Sequence, residues 1–149
     1  MKISIATISK RGNLSGPAGT LIAQYLERSQ RFTACEHRVF ATEAKLLDLL
    51  EGAATRTRPA LLLADSRGQQ VSSEELATAI GTLQDNGTQQ LFFAIGPADG
   101  WSPTALARAD RTIAFGRITL PHELAAVVVA EQIYRALTIR AGHPYHSGH

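Results

Sequence analysis

The sequence predicts an α/β fold built on a mainly parallel sheet. Two short continuous apolar runs, residues 59–64 and 91–95, have the composition of strands buried on both faces. Stretches of helical periodicity separate the strand candidates along the chain, the alternation that gives parallel crossovers. The second run leads straight into a Gly/Pro loop, Gly96-Pro97-Ala98-Asp99-Gly100. In sheets of this kind ligands bind outside the carboxyl ends of the strands. The ends at Ala64-Asp65 and Ile95-Gly96 are therefore the first places to look for a site.

Each element has a local reason. Residues 2–8 alternate Ile3, Ile5 and Ile8 with small residues and read as a strand. A loop with Gly16 and Pro17 follows, then a helix over 18–31 with Leu21, Ile22, Tyr25 and Leu26 on one side. Residues 32–40 form a second strand of mixed polarity, which suits a sheet edge. Thr42 is placed to cap a helix over 42–54 whose apolar side is Leu46, Leu47, Leu49 and Leu50. The apolar run 59–64 is a buried strand ending at Asp65-Ser66-Arg67-Gly68. Ser72 or Ser73 caps the next helix, with Glu74 and Glu75 in its first turn and Asn86-Gly87 as its stop. The strand 91–95 is followed by a short helix opened by Ser102-Pro103 and running to Ala109. One or two short strands fall in 111–118. Pro121 then starts a helix to about Ile139, with Thr119 as a possible cap.

Composition narrows the function. The chain has 149 residues, enough for one domain with a real core, and neither a repeat nor a linker is visible. Its formal charge is only +2, which excludes a strongly cationic nucleic-acid coat. The charge is uneven, at +4 over residues 1–60, −4 over 61–100 and +2 over 101–149. Twelve of the fifteen bases are arginine, the better fork for phosphate. A single cysteine, Cys35, allows no intrachain disulfide and points to a reducing compartment. No secretory signal fits the start of the chain. The longest apolar run, residues 124–130, is far short of the roughly 20 needed to span a bilayer. The expectation is a soluble, cytoplasmic protein.

Several residues carry chemistry. The loop from Gly96 to Pro103 combines close backbone approach at glycine with a path fixed by proline, but is neither a Walker loop nor a dinucleotide fingerprint. A plain turn and a ligand cradle both fit it. Thr119-Leu120-Pro121-His122 feeds a helix whose free N–H groups suit an anionic or polar group. His122 either completes that cap region or faces the ligand. Glu131 and Arg135 sit at i, i+4 in an apolar helix and need partners. They form either a structural ion pair or an arginine held toward a phosphate or cofactor. The tail His143-Pro144-Tyr145-His146 makes a poor metal chelate, since neither Cys nor acid accompanies it. It suits acid–base chemistry or stacking against a base, or is a solvated tail.

Together these stretches resemble one family. Thr119-Leu120-Pro121-His122, Val128-Val129-Ala130-Glu131-Gln132-Ile133-Tyr134-Arg135-Ala136 and His143-Pro144-Tyr145-His146 closely resemble the C-terminus of the ribosomal RNA large-subunit methyltransferase H family. The loop Ile95-Gly96…Gly100…Ser102-Pro103, the start Met1-Lys2-Ile3 and the total length match in place. The resemblance is strongest over residues 91–146.

It implies a single SPOUT-class domain over residues 1–149, whose parallel α/β sheet ends in a deep trefoil knot. It implies a homodimer that transfers a methyl group from S-adenosylmethionine to N3 of a pseudouridine in 23S ribosomal RNA on the assembled ribosome. Carried over residue by residue, the cofactor meets Ala64 and Asp65, then Gly96, Pro97 and Gly100, then Gly116, Arg117, Ile118, Thr119, Leu120 and Pro121. His122, Arg135, Tyr145 and His146 fall on the positions that handle the target base and its phosphate, and the tail acts across the dimer. No metal is implied. Two departures stand out. Pro97 replaces a glycine of the family loop and removes an N–H, although Asp99 keeps its acidic character. The basic segment before the second helix is shortened to Ala41-Thr42-Glu43-Ala44-Lys45. The alternative they leave is a knotted dimeric RNA- or ribosome-binding protein without methyl transfer.

Overall fold

Five strands and five helices alternate along the chain in a computed structural model that describes residues 1–148. They run β1 (Lys2–Ile8), α1 (Gly16–Ser29), β2 (Cys35–Phe40), α2 (Glu43–Glu51), β3 (Ala60–Gln70), α3 (Ser73–Asp85), β4 (Gln90–Ile95), α4 (Pro103–Arg108), β5 (Arg111–Ala114) and α5 (His122–Ala141). A 3₁₀ turn, His146–Gly148, follows. His149, one of the tail histidines, lies outside the described residues.

All pairings are parallel, and the sheet order is β2-β1-β4-β3-β5. The alternation of side chains sets its two faces. Ile3, Ile5, Leu62, Leu91 and Phe93 join one core with residues of α1, α3 and α5. Ala6, Ile8, Leu61, Leu63, Phe92 and Ala94 join the other with residues of α2 and α4. Burial on both faces explains why β3 and β4 read as continuous apolar runs. β2 lies at an edge, as its mixed composition predicts.

The expected caps at Thr42, Ser72 and Ser102 are in place, each side chain accepting from the backbone N–H three residues on. Ser72, not Ser73, is the cap, and Glu75 completes a capping box. Two expectations change and one is narrowed. β2 starts at Cys35 because residues 32–34 turn back, with the N–H groups of Phe32 and Thr33 donating to the Ser29 carbonyl. Residues 111–118 hold one strand. Thr119 does not cap α5; Pro121 occupies that position with no side-chain bond.

β3 differs most. It was expected to end at Ala64, yet it continues to Gln70. Pairing with β5 breaks after Ala64↔Ile113 and resumes at Gln69↔Ile113, so residues 65–68 bulge out. Gly68 permits this, since a Cβ there would lie 2.7 Å from the Thr112 carbonyl carbon. The extension is polar and largely exposed, so hydropathy carries no trace of it.

Candidate active site

The carboxyl end of β4 and the point where β3 breaks register after Ala64 open into a cavity of about 530 Å³. Its walls come from three stretches far apart in sequence: the start of the β3 bulge, the loop after β4, and the segment that leads from β5 into α5. Nine of the eleven residues expected at a cofactor line it: Ala64, Asp65, Gly96, Pro97, Gly100, Ile118, Thr119, Leu120 and Pro121. Gly116 and Arg117 are outside the lining. Gly116 has φ +96° and open space where a Cβ would sit, so its role is to turn the chain.

The loop after β4 is held at several points. The Trp101 indole N–H donates to the Ala64 carbonyl at 3.0 Å, tying loop to strand end. Glu43, in the first turn of α2, accepts from the Ser102 backbone N–H at 2.9 Å and from the Ser102 hydroxyl. The Gly100 N–H donates to the Pro97 carbonyl at 3.0 Å and closes a tight turn. Gly96 is required by space, since an added Cβ would meet the Trp101 ring at 2.7 Å. Trp101 itself is buried and forms part of the lining. Sequence reasoning passed over it. The available signal was the chain's sole tryptophan, set between a glycine and a helix cap at a strand end.

Asp65 carries the cavity's best-defined charge. It accepts from the Arg67 backbone N–H at 2.8 Å and from its guanidinium at 3.3 Å. Desolvation pushes its carboxyl upward, but the Arg67 bonds outweigh it and hold the group below its ordinary range. Opposite, α5 begins at the cavity: Pro121, His122 and Ala125 line it. With no side-chain cap, first-turn N–H groups are open to a polar ligand group. Ile95, Ile113, Phe115 and Leu120 supply apolar wall, and Ser66 and Thr119 add hydroxyl groups.

The four residues expected to handle the target separate. His122 is at the cavity; Arg135, Tyr145 and His146 are not. Arg135 lies ten residues beyond Ala125 on α5, about 15 Å along the helix. There it meets the tail. Glu131 Oε1 accepts from Arg135 Nη2 at 2.5 Å, from Arg135 Nε at 3.0 Å and from the Tyr145 hydroxyl at 3.0 Å. Its other oxygen accepts from Gln132 at 2.7 Å, and Gln132 accepts from Ser73 at 2.7 Å. Tyr145 packs edge-on against Tyr134 with ring centroids 4.6 Å apart. So the Glu131–Arg135 pair does hold an arginine, and what that arginine faces is the tail of its own chain. No group of three or more metal-ligating side chains is present among the described residues, and no helix there is long and apolar enough to cross a membrane.

Comparisons with known proteins agree with this architecture. A family model described as predicted SPOUT methyltransferase matches residues 1–146. The ribosomal RNA large subunit methyltransferase H of Koribacter versatilis is 46% identical over 149 residues, with both chains covered completely. That of Sinorhizobium fredii is 41% identical, covering 89% of this chain and 91% of the relative. Two solved structures share the fold at low identity. The SpoU methyltransferase AviRb from Streptomyces viridochromogenes, in complex with AdoMet, gives a TM-score of 0.52 at 12% identity. It is matched over 96% of this chain, which spans 58% of AviRb. A probable methylase family protein from Haemophilus influenzae gives 0.55 at 10%, over 98% of this chain and 69% of that one. By these matches over its whole length, the chain belongs to the ribosomal RNA large subunit methyltransferase H family of SPOUT methyltransferases.

Proposed function

We propose that this protein methylates N3 of a pseudouridine in 23S ribosomal RNA, using S-adenosylmethionine and working in the cytoplasm as a knotted, single-domain homodimer. The observation that carries the reading is the cavity where the β3 bulge and the end of β4 meet the first turn of α5, with His122 in its lining. Its volume falls within the range of small-molecule sites. Its lining suits the cofactor: apolar walls for the adenine, open N–H groups at α5 for polar atoms, and the ionised Asp65 for hydroxyl groups. Bound there, S-adenosylmethionine supplies a methyl group activated by its sulfonium.

The chain's residues do the rest. The held loop from Gly96 to Trp101 fixes the donor's place, and alignment of nucleophile and methyl supplies most of the acceleration. With the methyl group taken up at N3, the N3 proton would have to leave. His122, or a water held by it, takes that proton. Arg135, Tyr145 and His146 handle the target base and its phosphate. Their cluster lies about 15 Å down α5 from Ala125, and in the proposed homodimer it serves the cavity of a second copy, so each site mixes two chains.

Pro97 supports the second reading, an RNA- or ribosome-binding protein without methyl transfer, because it lines the cavity and offers no N–H. Calorimetric titration with S-adenosylmethionine separates the two. Saturable binding, followed by methyl-pseudouridine in 23S RNA treated with the protein, supports the enzyme. No binding at millimolar cofactor excludes it.

A further inference from the structure

The chemistry of one bond settles the state of His146. Arg135 Nη1 lies 3.1 Å from His146 Nδ1. A guanidinium can only donate, so Nδ1 must be the acceptor and carry no proton. His146 Nε2 lies 2.7 Å from Glu74 Oε1, in the first turn of α3. A carboxylate accepts, so the ring's proton is on Nε2. The ring is therefore neutral, and both nitrogens are engaged. The other acidic groups of this cluster are occupied too: Glu131 holds Arg135 and Tyr145, and Glu75 closes the capping box with Ser72. The backbone around His146 is pinned as well. The Tyr145 N–H donates to His143 Nδ1 at 3.2 Å, and the Ser147 hydroxyl donates to the Pro144 carbonyl at 2.9 Å.

We propose that Glu74 of α3 is a positioning residue for the reaction proposed above: it holds the His146 ring in place through Nε2–H, while Arg135 sets the tautomer, on the surface the target base meets. It works with Glu131, which does the same for Tyr145. Neither aromatic then serves as the proton acceptor. His146 has no open lone pair, and burial and Glu131 push the Tyr145 phenol well above its ordinary range. Their part is a rigid platform of defined donors and ring faces, and the N3 proton is left to His122 or its water.

Two measurements on the full-length protein test this. The first is imidazole ¹⁵N NMR, with His146 assigned through His146→Asn. The expected wild-type pattern is one neutral state with a protonated Nε2, whose proton exchanges with solvent faster in Glu74→Ala. A charged ring, an Nδ1–H ring, or an Nε2 proton exchanging no faster in Glu74→Ala overturns the proposal. The second is kinetics. Glu74→Ala should lower kcat for RNA methylation roughly 10- to 100-fold, the scale of a misplaced group, with S-adenosylmethionine affinity unchanged. Glu74→Gln keeps a carbonyl acceptor for Nε2–H and should restore most of the rate. Equal kcat in wild type and Glu74→Ala, or no rescue by glutamine, overturns it. The NMR arm stands apart from the functional reading: wild-type protein that shows the tautomer but transfers no methyl rejects the enzyme, not the placement of the ring.

Discussion

Replacing Gly96 by alanine tests how the cavity is built. A Cβ at this position would lie 2.7, 2.9 and 3.1 Å from three ring atoms of Trp101. Carbon atoms in contact sit near 3.5–4.0 Å, so the indole must move by the better part of an ångström. The ring has little room, because Trp101 is 7% exposed and packs in the core with Ala94 and Ala105. Overpacking of this kind costs about 1–3 kcal/mol, and losing the Trp101–Ala64 bond adds about 1 kcal/mol. The sum, about 2–4 kcal/mol, corresponds for a chain of this size to a fall in Tm of roughly 5–15 °C by calorimetry. Gly87→Ala is the contrasting control. It has φ +81° and no neighbour within 4 Å, so only backbone strain of about 1–2 kcal/mol applies. The decisive assay is a double-mutant cycle with Trp101→Phe, whose smaller ring vacates the contested space. The two changes should couple favourably by at least about 0.5 kcal/mol. Additive effects, or a Gly96→Ala protein as stable as wild type, would refute the packing argument.

Other outcomes follow from the same contacts. Asp110 accepts from the Leu61 N–H at 2.8 Å and from Arg58 at 3.2 Å, so Asp110→Ala should destabilise by about 2 kcal/mol in urea unfolding while Arg58→Ala costs under about 1 kcal/mol. Burial pushes the Cys35 thiol up to about 11, so iodoacetamide at pH 8 should label it only at the rate of unfolding, as mass spectrometry can follow. Asp65 is held below its ordinary value, so its stabilisation is whole above about pH 4 and is lost as pH falls through the lowered folded value. Asp65→Asn should therefore flatten the acid limb of a Tm-against-pH curve, and an unchanged limb would show that the Arg67 bonds do not stabilise the fold. Glu131→Gln leaves Arg135 and Tyr145 a weaker acceptor, and should cost about 1–2 kcal/mol and broaden the Tyr145 ring signals in NMR.

The amino-acid sequence by itself determined the parallel sheet, because strand segments buried on both faces must be apolar, and residues 60–64 of β3 and 91–95 of β4 are. It determined the caps at Thr42 and Ser102 and narrowed that of α3 to Ser72 or Ser73, because a cap is a contact over three residues. It also marked the strand ends that meet the cavity, since Gly and Pro punctuate the chain there. The tertiary structure decided what depends on residues far apart. The β3 extension rests on pairing with β5 across more than forty residues, and no local pattern announces it. Gly96 and Trp101 are five residues apart, yet the need for glycine appears only when the indole is fixed by Ala64 from another strand. The four residues grouped by one family motif proved to be one at the cavity and three in a tail cluster. The tail's partner, Glu74, is 72 residues from His146 and carried no signal beyond helix capping. Hydropathy and periodicity record which face of an element is buried. They do not record which distant side chain it will meet, and the placement of His146 depends on that meeting.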